Sequence, residues 1–222
     1  MSAFLLFFIA PMILGFWAQH RVKSTFAKNL EVPVANGMTG AQIARRILDA
    51  NGLNEVPVEE TPGTLSDHYD PRSRSVHLSP HVFQGVSVAS TAVGAHEVGH
   101  AIQHAQAYSF FRFRSAMFPA VQFASNIWFL FLLGGIFLNI LGFIWIAIAL
   151  YGVAVLFQIV TLPVEFDASR RARRQLQDLG LVASNESSGV NATLKAAAWT
   201  YVAAALAAVA VLLYYLSLLS NR

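Results

Sequence analysis

Residues 115–164 read SAMFPAVQFA SNIWFLFLLG GIFLNILGFI WIAIALYGVA VLFQIVTLPV, fifty residues without one Asp, Glu, Lys or Arg. A hydrocarbon core of about 30 Å is crossed by roughly 20 helical residues rising about 1.5 Å each. The run is too long for one crossing and fits two joined by a tight turn. Leu138-Asn139-Ile140-Leu141-Gly142 is the natural turn, which puts spans near 117–138 and 141–162. Two more uncharged blocks flank the chain. Residues 1–18 form one; the competing reading, a cleavable signal peptide, wants positive charge before the apolar run. Here Arg21, Lys23 and Lys28 follow it, so an anchor is expected. Residues 196–220 form the other, rich in alanine, which lets helices approach closely in lipid.

Composition agrees. The 222 residues are 55% hydrophobic and 12% charged, about half the charge of an ordinary soluble domain, which excludes disorder. The absence of cysteine removes disulfides, thiolate zinc sites, iron–sulfur clusters and a cysteine nucleophile. A formal charge of +3 is too small to argue for nucleic acid. Four crossings place both termini on one side and residues 19–114 and 165–195 on the other. Fourteen of the 15 Lys and Arg fall in those two segments, with Arg222 opposite. By the positive-inside rule the hydrophilic part is expected in the cytoplasm. The expected division is thus residues 1–18, span 1; 19–114, catalytic part; 115–164, a hairpin of spans 2 and 3; 165–195, a second cytoplasmic segment; and 196–220, span 4. Basic residues beside the span ends, including Arg112, Arg114, Arg170 and Arg171, read as lipid-facing anchors.

Within the hydrophilic part, Thr39-Gly40-Ala41-Gln42 reads as a capping box opening a helix that Asn51-Gly52 ends. A short strand is possible around residues 56–58. Residues 64–69 and 74–78 flank the turn Asp70-Pro71-Arg72-Ser73, which suggests a hairpin. Ser79-Pro80 can start a short helix. A long helix is then expected from about Ser87 past Arg112.

That helix carries His96-Glu97-Val98-Gly99-His100. Residues four apart share a helix face, so His96 and His100 can hold one zinc ion. Glu97, rotated off that line, can accept a proton from water on the metal and pass it to a leaving amine. A catalytic zinc takes three protein ligands. His104 lies about 12 Å along the helix from His96, too far to share an ion. Gln at 103 and 106 excludes the longer pattern of Gly and His that metzincins carry. The third ligand is then a downstream acid: Glu165, Asp167, Asp178 or Glu186. Glu165 is favoured, because the hairpin returns it to the membrane surface where the His96 helix meets the bilayer. Pro163 can begin a new helix there, and Ala168 and Ala172 leave room on its face. Asp167 is the runner-up, or holds a ligating imidazole from behind.

The blocks Asp67-His68-Tyr69-Asp70-Pro71-Arg72, Ala95 to His104, Pro163-Val164-Glu165-Phe166-Asp167-Ala168-Ser169-Arg170-Arg171-Ala172 and Ala196-Ala197-Ala198-Trp199-Thr200-Tyr201 resemble the bacterial membrane-bound neutral zinc metallopeptidase family (YugP-like) over most of the chain. The resemblance implies a gluzincin-type site of the two motif histidines with Glu165 as third ligand, Glu97 as base, and a place in the bacterial inner membrane. The Glu-x-x-Ala block more distantly resembles membrane zinc endopeptidases of the HtpX and CAAX-processing type. Those place Asp four residues after the ligating Glu; here Ser169 stands there, with Asp167 at the second position.

Other residues carry weaker expectations. Ser75-Val76-His77-Leu78 could be an edge strand that pairs with an extended substrate. His68, His77 and Tyr69 are candidate oxyanion donors, and Asp67 a candidate to orient a ligating His. Gly134, Gly135 and Gly152 should let spans pack closely. Together these readings describe a mainly α, four-span membrane protein with a small α+β zincin-like part, acting as a Zn2+ endopeptidase on peptides or membrane proteins. The competing readings are an inactive membrane scaffold with a structural zinc site, or a protease that needs a partner.

Overall fold

The computed structural model describes residues 5–220. A π-helical turn, Leu5–Ile9, runs into α1 (Ala10–Leu30), so the first helix continues well past residue 18; the start of the expected first span lies outside the described residues. Next come α2 (Gly40–Ala50), β1 (Val58–Glu60), β2 (His68–Asp70), β3 (Ser75–Leu78), α3 (Pro80–Phe83) and α4 (Val88–Ala105). The chain closes with α5 (Ser109–Phe137), α6 (Leu141–Asp178) and α7 (Ser187–Ser220). Among the described residues, α5, α6 and α7 are the helices long and apolar enough to cross a membrane. Their outer faces are apolar and open, as at Phe123, Leu130 and Phe137.

Local chemistry sets several boundaries as the sequence suggests. At the start of α2 the Thr39 hydroxyl accepts from the Gln42 N–H, and the Gln42 side chain accepts from the Thr39 N–H. The helix ends at Gly52, φ +70°, a conformation that suits glycine. Ile43, Ala44, Ile47 and Leu48 are completely buried against α4 and β3 in one continuous core. The apolar hairpin of α5 and α6 turns at Leu138–Ile140, with Asn139 at φ +55°. A Cβ on Gly135 would sit 2.6 Å from Ile144, so the glycine lets α5 and α6 close. Gly152 meets nothing within 4 Å and does not serve packing as expected.

Three expectations are corrected. The sheet order is β1-β3-β2, with β1 parallel and β2 antiparallel to β3. Ser75–Leu78 is therefore the centre of the sheet, and β2 is an edge. The helix expected from Ser87 past Arg112 breaks at 106–108, where Ala107 takes φ +53° and the Tyr108 N–H bonds back to the Gln103 carbonyl. Pro163 does not begin a helix but lies inside α6; one missing N–H in a helix held by neighbours on both sides is tolerated. One unbroken helix thus carries the chain from the turn at Leu138–Ile140 to Asp178. α7 contains the uncharged block at 196–220 and begins nine residues before it.

Candidate metal centre

α4 lies across the core with Val98, Ala101 and Ile102 buried in it. Its other face presents His96 and His100, one turn apart, their rings edge to face at 4.9 Å. α6 crosses behind. A Cβ on Gly99 would lie 2.6 Å from the Ala168 carbonyl oxygen, so α4 and α6 touch backbone to backbone at the motif's glycine. Ala168 and Ala172 are buried in this contact, the role their small size suggests.

The close crossing delivers Glu165. Its Oε2 lies 3.3 Å from His96 Nε2 and 3.5 Å from His100 Nε2. The ligand atoms of these three residues all lie within 4.8 Å of one another. In a tetrahedral zinc site with bonds of about 2.05 Å the donors stand about 3.3–3.4 Å apart. Both nitrogen–oxygen separations are close to that edge, and the donor set of two imidazoles and one carboxylate suits zinc. Burial opposes the Glu165 charge, but His100 and His96 outweigh it and hold the carboxyl well below its ordinary value. Arg114 takes the other oxygen, Oε1, at 3.3 Å. The guanidinium expected to face lipid instead holds this carboxylate.

Glu97 is buried beside the trio with the Tyr69 backbone N–H facing it. Burial pushes its carboxyl up to about 7, Glu165 and Asp67 adding to the rise and His96 opposing it. A cavity of about 810 Å³ opens over this group. One wall is the β2 edge and its turn, Asp67 to Arg72; the floor includes Phe111, Phe118 and Pro119 of α5, Phe157 of α6 and Tyr201 of α7. The Tyr201 hydroxyl is turned toward Glu165.

The remaining candidates have other partners. Asp67 accepts from the Ser79 N–H at 2.7 Å and from its hydroxyl, pinning the start of α3 rather than an imidazole. Its burial raises its pKa against those hydrogen bonds. His68 and His77 stack on one another at 4.7 Å on the sheet face opposite Tyr69 and Val76. His68 borders the cavity, but its Nδ1 is taken by the Ser66 carbonyl; His77 binds Ser75 and Glu59 outside it. The Tyr69 hydroxyl meets His104 Nδ1 at 2.9 Å, tying β2 to the end of α4. Asp178 is exposed at the end of α6, and Glu186 accepts from the Ala35 and Ala183 N–H groups.

Asp167 touches neither imidazole. It accepts from Arg170, Arg171 and Gln103. Gln103, fully buried, in turn faces His100 Nδ1 at 3.0 Å. Ser169 Oγ lies 3.2 Å from His96 Nδ1. Gln103, Arg114 and Tyr201 were not singled out from the sequence. The only signal for Gln103 is its spacing, three residues beyond His100 on the same face.

The family model described as "Putative neutral zinc metallopeptidase" matches residues 4–220. A curated relative, "Putative membrane protease YugP" of Bacillus subtilis (strain 168), is 49% identical over 218 residues, covering 98% of this chain and 97% of that protein. No solved structure matches the chain.

Proposed function

The chain belongs to the YugP-like neutral zinc metallopeptidase family, and from that premise we propose that it is a zinc-dependent endopeptidase cutting peptide bonds at the membrane surface. The observation that carries the reading is the convergence of His96, His100 and Glu165 beside a buried Glu97. His96, His100 and Glu165 would hold the ion, leaving the cavity side open to substrate. Zinc there supplies a Lewis acid and lowers the pKa of water.

Glu97 takes the proton from the attacking water and returns it to the leaving amine. Burial holds its carboxyl near neutrality, which suits a group that must both accept and donate. The substrate chain lies along the open edge of β2, hydrogen-bonded to the backbone around Tyr69, in place of the β3 edge expected from sequence. Tyr201 is the donor assigned to the carbonyl oxygen as it gains charge. Arg114 keeps Glu165 aimed.

We further propose four spans, α1 with its preceding turn joining α5, α6 and α7, and the hydrophilic part in the cytoplasm of a bacterial inner-membrane protein. α1 packs along α7, with Trp17 and Trp199 edge to face at 5.6 Å. The apolar floor contributed by the spans favours peptides or membrane proteins presented at the bilayer surface, with no nucleic acid partner.

The test is a proteomic comparison of cells carrying wild type or Glu97→Gln, with zinc measured in both purified proteins. Equal zinc with loss of cleavage products supports the mechanism; unchanged cleavage by Glu97→Gln overturns it.

A further inference from the structure

We propose that Gln103 is a positioning residue that fixes the metal-binding tautomer of His100; the proposal rests on the ligand assignment above. The argument turns on which end of the amide faces which partner. On one side stand two groups that only accept: the Val164 carbonyl oxygen, 2.8 Å from Nε2, and Asp167 Oδ2 at 2.9 Å. Asp167 is held in place by Arg170 and Arg171. An amide offers two N–H donors at one end and an acceptor at the other, so this side demands the NH2 group. The carbonyl Oε1 is thereby turned to His100 Nδ1 at 3.0 Å. A reversed amide would set an oxygen against two acceptors in a fully buried place with no water to relieve it. His100 Nδ1 must then carry a proton, which leaves Nε2, facing Glu165 and the cavity, as the nitrogen that can bind metal.

His96 is not constrained in this way. Its Nδ1 meets the Ser169 hydroxyl, which can donate or accept by rotating. The two ligands therefore differ: one tautomer is imposed by a chain of three links from Arg171 through Asp167 and Gln103, the other is permitted. The partner of each imidazole is neutral, so neither ligand gains the electron density that a carboxylate in direct contact would supply.

The experiment uses the full chain in detergent. Zinc affinity is read by competition with a chromophoric chelator, and the His100 tautomer by nitrogen NMR of the metal-free protein. Wild type should show His100 protonated on Nδ1. Gln103→Met, close in volume but without an acceptor, should move the proton toward Nε2 and weaken zinc binding about 10- to 100-fold. Ser169→Ala should weaken zinc less than Gln103→Met does. Should Gln103→Met fail to fold, the nitrogen NMR of the wild-type protein decides alone, a proton on His100 Nδ1 supporting the proposal. The proposal is overturned by zinc affinity within twofold of wild type in Gln103→Met, or by wild-type His100 without a proton on Nδ1. Wild type that binds no zinc, with His100 still protonated on Nδ1, would refute the ligand assignment and leave the tautomer argument standing.

Discussion

Replacing Gly99 by alanine tests whether the backbone contact of α4 with α6 positions the candidate metal centre. The added Cβ would lie 2.6 Å from the Ala168 carbonyl oxygen and 3.2 Å from its carbonyl carbon and Cα. All three are backbone atoms, so no side chain can swing aside. Ordinary contact begins at 3.4 Å, and the helices must therefore part by about 0.8 Å. Metal–ligand distances tolerate only about ±0.2 Å, and Glu165 sits one turn from Ala168 on the displaced helix. The expected result is a loss of about 1–3 kcal/mol of stability from overpacking, with zinc affinity falling by at least tenfold and cleavage falling with it. Thermal unfolding of the metal-free protein and zinc competition on the same sample separate the two effects. A Gly99→Ala protein that is folded and binds zinc like wild type would refute the view that this crossing sets the ligand geometry.

Glu97→Gln should lower kcat by about 10²- to 10⁴-fold while retaining zinc, as kinetics on the loaded protein would show. Tyr201→Phe should lower kcat by about 10²-fold with little change in KM; an unaltered kcat would remove it as the oxyanion donor. Asp67→Ala leaves the Ser79 N–H and hydroxyl without their acceptor and should cost about 1–3 kcal/mol in chemical denaturation. Because the chain has no cysteine, a single Cys at the exposed Ala35, near the start of α2, reports orientation cleanly. It should resist an impermeant thiol reagent on intact cells and react after permeabilisation.

What the sequence shows best is local. The Thr39–Gln42 capping box, the hairpin at Asp70 to Ser73 and the i, i+4 pairing of His96 with His100 are written in residues that touch within one turn. Glu165 was reachable across 69 positions because the uncharged hairpin returns the chain to its starting side and leaves few acids to choose from. The misreadings lie where distant parts decide. Nothing near Ser75–Leu78 indicates that β1 will pair along it in parallel and take the edge away. The register of β2 on β3 stacks His68 on His77 across the face opposite Tyr69, leaving His68 at the cavity rim and His77 outside it. Ala107 carries no residue signal for its left-handed φ. Gln103 looks like an ordinary helix residue until Asp167 and Val164 arrive from α6.

The most direct measurement is metal analysis with X-ray absorption on the purified full chain, wild type against Glu165→Ala. Wild type should hold one zinc per chain with two imidazole nitrogens and a carboxylate oxygen at about 2.0–2.2 Å. Glu165→Ala should lose the ion or bind it with only the two imidazoles. Stoichiometric zinc with an unchanged coordination shell in Glu165→Ala would contradict the account.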